Sequence, residues 1–239
     1  MTALEARPPA TGSGPADLRR TSRLVAALLL PLGPAAVAVL RFVLPYFTTD
    51  DPATIVRSVA AHPGQQSLVL WLAFVAVLTL VPAVLGVARL TRRRAPRLTA
   101  AAVILAVPGY LSLGWLTSSD LLVWAGVRQD VDPRALTPML EAAHPTSNIA
   151  AAVFVLGHVL GTVLLGLAMW RSRAVPRWAV VLTIVAQPLH FVAAVIVLSP
   201  ALDLGAWGMN AVGFAAAAVA ALRLPDDEWD LAPQPRAVP

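Results

Sequence analysis

Apolar residues dominate six separate stretches of this chain, and each stretch is about as long as a lipid bilayer is thick. The stretches are residues 24–46, 68–88, 98–116, 149–170, 178–198 and 204–222. A helix needs roughly 20 apolar residues to cross a hydrocarbon core of about 30 Å, and it satisfies its own backbone hydrogen bonds there. The pattern therefore predicts an all-α membrane protein, a bundle of six transmembrane helices.

Prolines recur at a fixed interval within this pattern. Pro96 and Pro176 open the third and fifth stretches, and Pro108 and Pro188 interrupt them, so both pairs are 80 residues apart. The two longer loops, after the first and third stretches, also share an Asp-Pro followed by a His-Pro. Self-similarity of this kind predicts a bundle built from repeated helical hairpins.

The longer loops carry the signals of short helices. Asp51 suits a helix N-cap, Pro52 suits the first turn, and Pro63 disfavours helical geometry in the residue before it. The sequence predicts an interfacial helix between them, on the outer side of the bundle. In the second loop Pro138 falls in mid-segment, so we expect Thr137 to cap a shorter helix there.

The placement of arginine predicts the orientation of the chain. All 18 basic residues of the 239 are arginine. They cluster beside one set of helix ends, as in Arg19, Arg20, Arg23, Arg89, Arg92, Arg93, Arg94, Arg97, Arg171, Arg173, Arg177 and Arg223. By the positive-inside rule these ends, with both termini, are cytoplasmic. The same placement argues against nucleic acid as a partner, despite a sequence pI near 11.1, and points to the lipid bilayer.

Both ends of the chain are predicted to lie outside the membrane domain. Residues 1–21 have little to bury and are expected to be a disordered cytoplasmic segment. Residues 22–224 form the transmembrane domain, and residues 225–239 form a solvated cytoplasmic tail. The alternative, a cleaved signal peptide, would use residues 36–38 as its cleavage site. The apolar run extends past that site, which favours a retained first helix.

Among the polar side chains within the predicted spans, five are the candidate ligand-binding residues: Tyr110, His158, Gln187, His190 and Asn210. His158 and His190 each lie roughly 12–14 Å below the outer end of their helices. A short turn joins these helices, so the two imidazoles should share one depth. Ionisable groups at such depth face the bundle interior, a partner or water. The alternatives are a haem b held by both histidines and a structural hydrogen-bonded network.

Four further ionisable side chains lie near predicted helix ends. We expect Arg41 to extend to the membrane interface rather than act in a pathway. Asp120 is expected to mark a turn from the third helix into an interfacial segment. His62 and His144 are expected at the C-termini of the loop helices, where an imidazolium would meet the negative end of the helix dipole.

Motifs with a defined chemistry are absent from the sequence. It has no zinc-binding His-Glu-x-x-His, no Gly-x-Ser-x-Gly elbow, no P-loop and no dinucleotide fingerprint. It has no cysteine, which excludes disulfides and thiolate catalysis. We therefore predict no catalytic residue and no metal site.

In its layout the chain resembles six-helix bacterial membrane proteins of the actinobacterial type that have no assigned activity. The shared features are six helices, a short amphipathic helix after the first and arginine-rich inner turns. This resemblance implies no reaction. We expect a multi-pass protein of the cell membrane that binds or moves a small or lipidic ligand through an outward-facing polar pocket. The alternatives are a haem-b electron-transfer subunit and a structural accessory subunit, and the sequence leaves the oligomeric state open.

Overall fold

The computed structural model describes residues 16–232, and within this range the chain forms helices and no strand. In chain order they are α1 (Arg19–Val43), α2 (Pro52–Ala61), α3 (Pro63–Thr91), α4 (Pro96–Arg128), α5 (Pro133–Glu141), α6 (Thr146–Ser172), α7 (Arg177–Phe191), α8 (Pro200–Arg223) and α9 (Asp226–Trp229). A π-helical turn, Val192–Val197, extends α7. With that turn included, six helices are long and apolar enough to cross a membrane: α1, α3, α4, α6, α7 and α8. The predicted multi-pass α-helical membrane protein is confirmed.

The six long helices pack in chain order around a ring that α8 closes by returning to α1. Short turns, residues 92–95 and 173–176, join α3 to α4 and α6 to α7, so these pairs are antiparallel neighbours. An even number of crossings brings both described ends of the chain to one end of the bundle, which we call the terminal end. We call the opposite end, which carries α2 and α5, the loop end.

Apolar side chains fill the interior of the bundle towards the terminal end. Leu30, Leu80, Leu165, Met169 and Phe214 are all almost completely buried and belong to one continuous core. In lipid, burial of this kind stabilises the bundle through close packing rather than through removal of apolar surface from water. The interior of the bundle is therefore filled with apolar side chains in its terminal half.

Helices α2 and α5 form a cap over the loop end. They pack on each other and on the last turns of α4, with a shared apolar core of Val56, Val59, Val123 and Leu136. The Asp51 side chain caps α2 by accepting a hydrogen bond from the Thr54 backbone amide at 3.0 Å. The Thr54 hydroxyl also donates to this carboxylate, and together these bonds lower the pKa of Asp51. The first interfacial helix thus has the N-cap that the sequence predicts.

Helix α5 differs from the expectation for the second loop. It runs unbroken from Pro133 to Glu141 with Pro138 inside it. The N-cap is Asp132, whose side chain accepts from the Arg134 amide at 2.9 Å, and Thr137 instead donates its hydroxyl to the Pro133 carbonyl. Pro138 removes only one backbone donor from this short helix, and the packing of α5 against α2 offsets that loss.

Helix α4 also differs from the expectation, because it continues to Arg128 without a turn at Asp120. The hydroxyls of Thr117 and Ser118 donate to backbone carbonyls three residues earlier, as helical geometry allows. The Asp120 carboxylate accepts a hydrogen bond from the Tyr46 hydroxyl, which compensates for its removal from water. The last turns of α4 therefore project beyond the ring and support the cap.

The two chain ends are more ordered than the sequence suggests. Helix α1 begins at Arg19, so residues 19–21 are helical, and the predicted disorder of residues 1–15 falls outside the described residues. At the other end Trp229 is fully buried, and its Nε1 donates to the Ser22 hydroxyl at 3.0 Å. Asp226 pairs with Arg23 at 3.0 Å. The described part of the tail is thus packed on the bundle rather than solvated, and residues 233–239 lie outside the described range.

Candidate functional site

A cavity of about 480 Å³ lies inside the loop-end half of the ring, beneath the cap. Its walls are mostly valine, leucine, phenylalanine and alanine side chains, and Ile55 of α2 and Leu140 of α5 border it on the cap side. The ionisable side chains in its lining are Arg41, Tyr46, Asp120, His158 and His190. Apolar walls with a few convergent polar groups are typical of small-molecule sites.

Arg41, Asp203 and His190 form a hydrogen-bonded triad at one side of the cavity. The Arg41 Nε donates to one oxygen of the Asp203 carboxylate at 2.5 Å. The His190 Nδ1 lies 2.5 Å from the other oxygen. Asp203 is almost completely buried, and it lies in the first turn of α8, where the positive end of the helix dipole favours a carboxylate. The triad ties α1, α7 and α8 together.

His158 lies among aromatic rings next to this triad. Its imidazole stacks on Phe154 with ring centroids 4.2 Å apart and lies nearly parallel to the Trp207 indole at 6.0 Å. The His190 ring is 5.5 Å away from it. The structure therefore brings His158 and His190 together at one depth on the cavity wall.

One nitrogen of His158 has a partner and the other does not. The Nδ1 lies 2.5 Å from the Phe154 carbonyl oxygen, and a carbonyl can only accept, so Nδ1 carries the proton. In the neutral ring the Nε2 is then an acceptor. This atom is buried and has no hydrogen-bond partner among the described residues. It is a buried acceptor without a donor, in a side chain that borders the cavity.

Tyr110, Gln187 and Asn210 lie behind the cavity lining, deeper in the bundle. The Tyr110 hydroxyl is 2.7 Å from that of Thr162, which joins α4 to α6. Gln187 and Asn210 are fully buried, and their side-chain amides have no hydrogen-bond partner among the described residues. Of the five side chains that the sequence singles out, only His158 and His190 therefore border the cavity directly.

Sequence reasoning missed the ion pair. It expected Arg41 to extend to the interface, whereas the Arg41 side chain is only 13% exposed and is paired with Asp203. It did not single out Asp203, because the predicted span began one residue later, while α8 begins at Pro200. A carboxylate so close to an apolar run was the available signal, since such a group is rarely left unpaired.

The two exposed histidines lie at the loop end, outside the cavity. The Nδ1 of His62 is 3.2 Å from the Ser58 carbonyl oxygen at the C-terminus of α2. His144 lies instead beyond the end of α5 and beside the start of α6, where its Nδ1 is 3.0 Å from the Thr146 hydroxyl, so its expected place at a helix C-terminus is wrong. Within residues 16–232, no group of three or more His, Asp or Glu side chains is placed to hold a metal ion.

Comparison with known proteins identifies the family. The model of a family described as a domain of unknown function, DUF4386, matches residues 24–224. This match covers most of the chain and includes nearly all of the six long helices, so the protein belongs to that family. No curated protein and no solved structure matches the chain. The family description names no activity, and function must be argued from the site.

Proposed function

We propose that this DUF4386 protein binds a small amphipathic or lipidic ligand in the cavity at the loop end. The observation that supports this most is an open volume of about 480 Å³ with apolar walls, bordered on one side by His158, His190 and Arg41. Ligand pockets commonly measure about 300–1,000 Å³ and combine these two kinds of lining. A network that only locks helices together needs no such space, because protein interiors are close-packed.

Binding is better supported than passage through the bundle. The polar side chains extend from the cap to Asn210, which is seven residues beyond Asp203 on α8 and so about 10 Å deeper. Beneath them lies the closed apolar core towards the terminal end. The described conformation offers a site with access from one half of the bundle, and movement of a ligand to the other side would need the terminal half to rearrange.

The orientation of the site follows from the arginine distribution, which predicts that the loop end faces outwards. We expect an impermeant thiol reagent added from outside to label Gly64→Cys and not Leu231→Cys. Both positions suit the test because Gly64 has open space around it, Leu231 is 80% exposed, and the chain has no cysteine of its own. External labelling of Leu231→Cys in sealed cells would contradict the orientation.

A space-filling substitution tests the proposed ligand site. Ala151 lines the cavity, whereas its neighbour Ala152 is exposed on the outside of α6. We expect Ala151→Phe to lower the amount of small molecule that native mass spectrometry detects on the purified protein by about tenfold or more. Ala152→Phe adds the same side chain outside the cavity and should retain the wild-type amount. Wild-type protein that carries nothing, and is not stabilised by any added lipid, would favour a structural accessory subunit instead.

Haem b is a second candidate for the same site. Each imidazole has its Nδ1 held by an acceptor, the Phe154 carbonyl for His158 and the Asp203 carboxylate for His190. Metal-bound histidines commonly show this arrangement, because the second nitrogen orients the ring. The absorption spectra of wild type and His158→Phe, both purified from haem-replete cells, separate the candidates: a Soret band that His158→Phe lacks would favour haem, and a colourless wild-type protein would rule haem out.

A further inference from the structure

The unpartnered Nε2 of His158 indicates what kind of polar group the cavity would bind. This atom accepts and cannot donate while the Phe154 carbonyl holds the proton on Nδ1. The side chain is 1% exposed, so water from outside does not freely satisfy the atom, and a buried acceptor without a donor is unfavourable. A ligand with a hydroxyl or an N–H group would supply the missing donor.

The charges around the cavity favour an uncharged head. Arg41 and Asp203 already neutralise each other at 2.5 Å, and the remaining Asp203 oxygen is held by His190. A ligand anion or cation would add an unmatched charge to groups that are withdrawn from water. Asp120 is the further carboxyl group in the lining, and it is held near the cap by the Tyr46 hydroxyl. Because this carboxyl group would attract a positive charge, a cationic head is the main alternative to an uncharged one.

The cavity reaches the lipid-facing surface between α6 and α7. Val155 on α6 and Phe191 and Val195 on α7 and its π-helical turn line the cavity, yet they are 37%, 40% and 45% exposed. Both helices are candidate membrane spans, so the medium outside these side chains is the bilayer. π-Helical turns within helices are rare and occur often at functional sites. The gap gives an apolar chain a path from the cavity into lipid.

We infer that the ligand is an uncharged amphiphile whose hydroxyl or N–H head donates to His158 Nε2 and whose apolar chain lies in the gap between α6 and the π-helical turn of α7. This inference rests on the proposed ligand-binding function and specifies its ligand class. The ligand reaches the site laterally from the bilayer, on the side of the cavity that Val155, Phe191 and Val195 border. The head is recognised by a neutral hydrogen bond rather than by an ion pair.

The test uses photoreactive probes on the full-length protein in phosphatidylcholine nanodiscs. Three probes share one C16 chain with a diazirine at the same carbon and differ in the head: an alcohol, a carboxylic acid and a primary amine. A fourth probe is a short, water-soluble diazirine alcohol. Mass spectrometry quantifies label on the peptides that line the cavity, in α6 and in the π-helical turn. We expect the C16 alcohol to label these peptides about tenfold more than the acid or the amine.

Two matched pairs of variants locate the head and the chain. His158→Phe keeps an aromatic ring between Phe154 and Trp207 but lacks Nε2, and it should reduce labelling by the C16 alcohol about tenfold, as expected for one lost hydrogen bond. His158→Gln, which retains an acceptor, should restore part of it. Val195→Trp should block the gap, whereas Ile196→Trp, at a neighbouring exposed residue outside the cavity lining, should not.

The possible results separate this inference from the function on which it rests. Preferential labelling by the acid or the amine would overturn the uncharged head while leaving the ligand site in place. Equal labelling by the short alcohol, undiminished in Val195→Trp, would overturn access from the bilayer. Absence of cavity labelling by every probe, with Ala151→Phe indistinguishable from wild type, would overturn both proposals.

Discussion

Replacing Asp203 with leucine is expected to destabilise the folded protein severely. Asp203 is almost completely buried and accepts from both Arg41 and His190 at 2.5 Å. Its removal would leave the Arg41 guanidinium unpaired in a poorly solvated place, and breaking one partner of a buried ion pair typically costs about 3–5 kcal/mol. We expect a marked fall in the thermal unfolding midpoint in detergent and a low yield of monodisperse protein.

The double variant Arg41→Leu with Asp203→Leu is the control for this prediction. It removes both charges, and replacement of a whole buried pair by apolar residues is often close to neutral. We expect it to recover most of the stability that Asp203→Leu loses. Glu141→Leu removes an exposed carboxylate at the loop end and should change little. An Asp203→Leu protein as stable as wild type would show that the pair does not hold α1 to α8.

Adding a methyl group at Gly157 should separate α4 from α6. A Cβ there would lie 2.6 Å from the Leu105 carbonyl oxygen and 2.7 Å from the Gly109 Cα, so the clash is with backbone and no side chain can move to relieve it. Overpacking of this kind costs roughly 1–3 kcal/mol. Because His158 follows Gly157 directly, the same shift should displace the imidazole and weaken labelling by the C16 alcohol.

Gly205→Ala and Gly208→Ala are matched controls within the same bundle. Both glycines lie in α8, and a Cβ at either position meets nothing within 4 Å. We expect these variants to melt at or slightly above the wild-type temperature, since alanine favours helix over glycine. If Gly157→Ala unfolds at the same temperature as these controls, then α4 and α6 are not in the close contact that positions His158.

The helices were predictable from sequence because the bilayer imposes their length and composition. An uncharged apolar run of about 20 residues is typical of a membrane-spanning helix, and every one of the six predicted spans lies largely within a helix. Local sequence signals also predicted the helix in the first loop correctly, since Asp51 caps α2. They failed at Pro138 and Asp120, where contacts with distant elements kept α5 and α4 helical despite unfavourable residues.

The site was predictable only in part. The shared depth of His158 and His190 follows from two antiparallel helices joined by a short turn, and the structure places the rings 5.5 Å apart. The interior positions of Tyr110, Gln187 and Asn210 were also indicated, but their distance from the cavity was not. Which face of a helix borders a cavity depends on its rotation against its neighbours, and helical periodicity alone leaves that rotation open. Whether these residues bind a ligand stays a prediction.

The sequence by itself determined that this protein crosses the membrane six times and carries two imidazoles at one depth, because both follow from local composition and helix geometry. Only the tertiary structure decided that Arg41 meets Asp203, since that contact joins residues 162 positions apart and exists because α8 closes the ring on α1. The cavity and the unpartnered nitrogen of His158 have the same origin. They are spaces and contacts between helices, and they arise only when the whole ring is assembled.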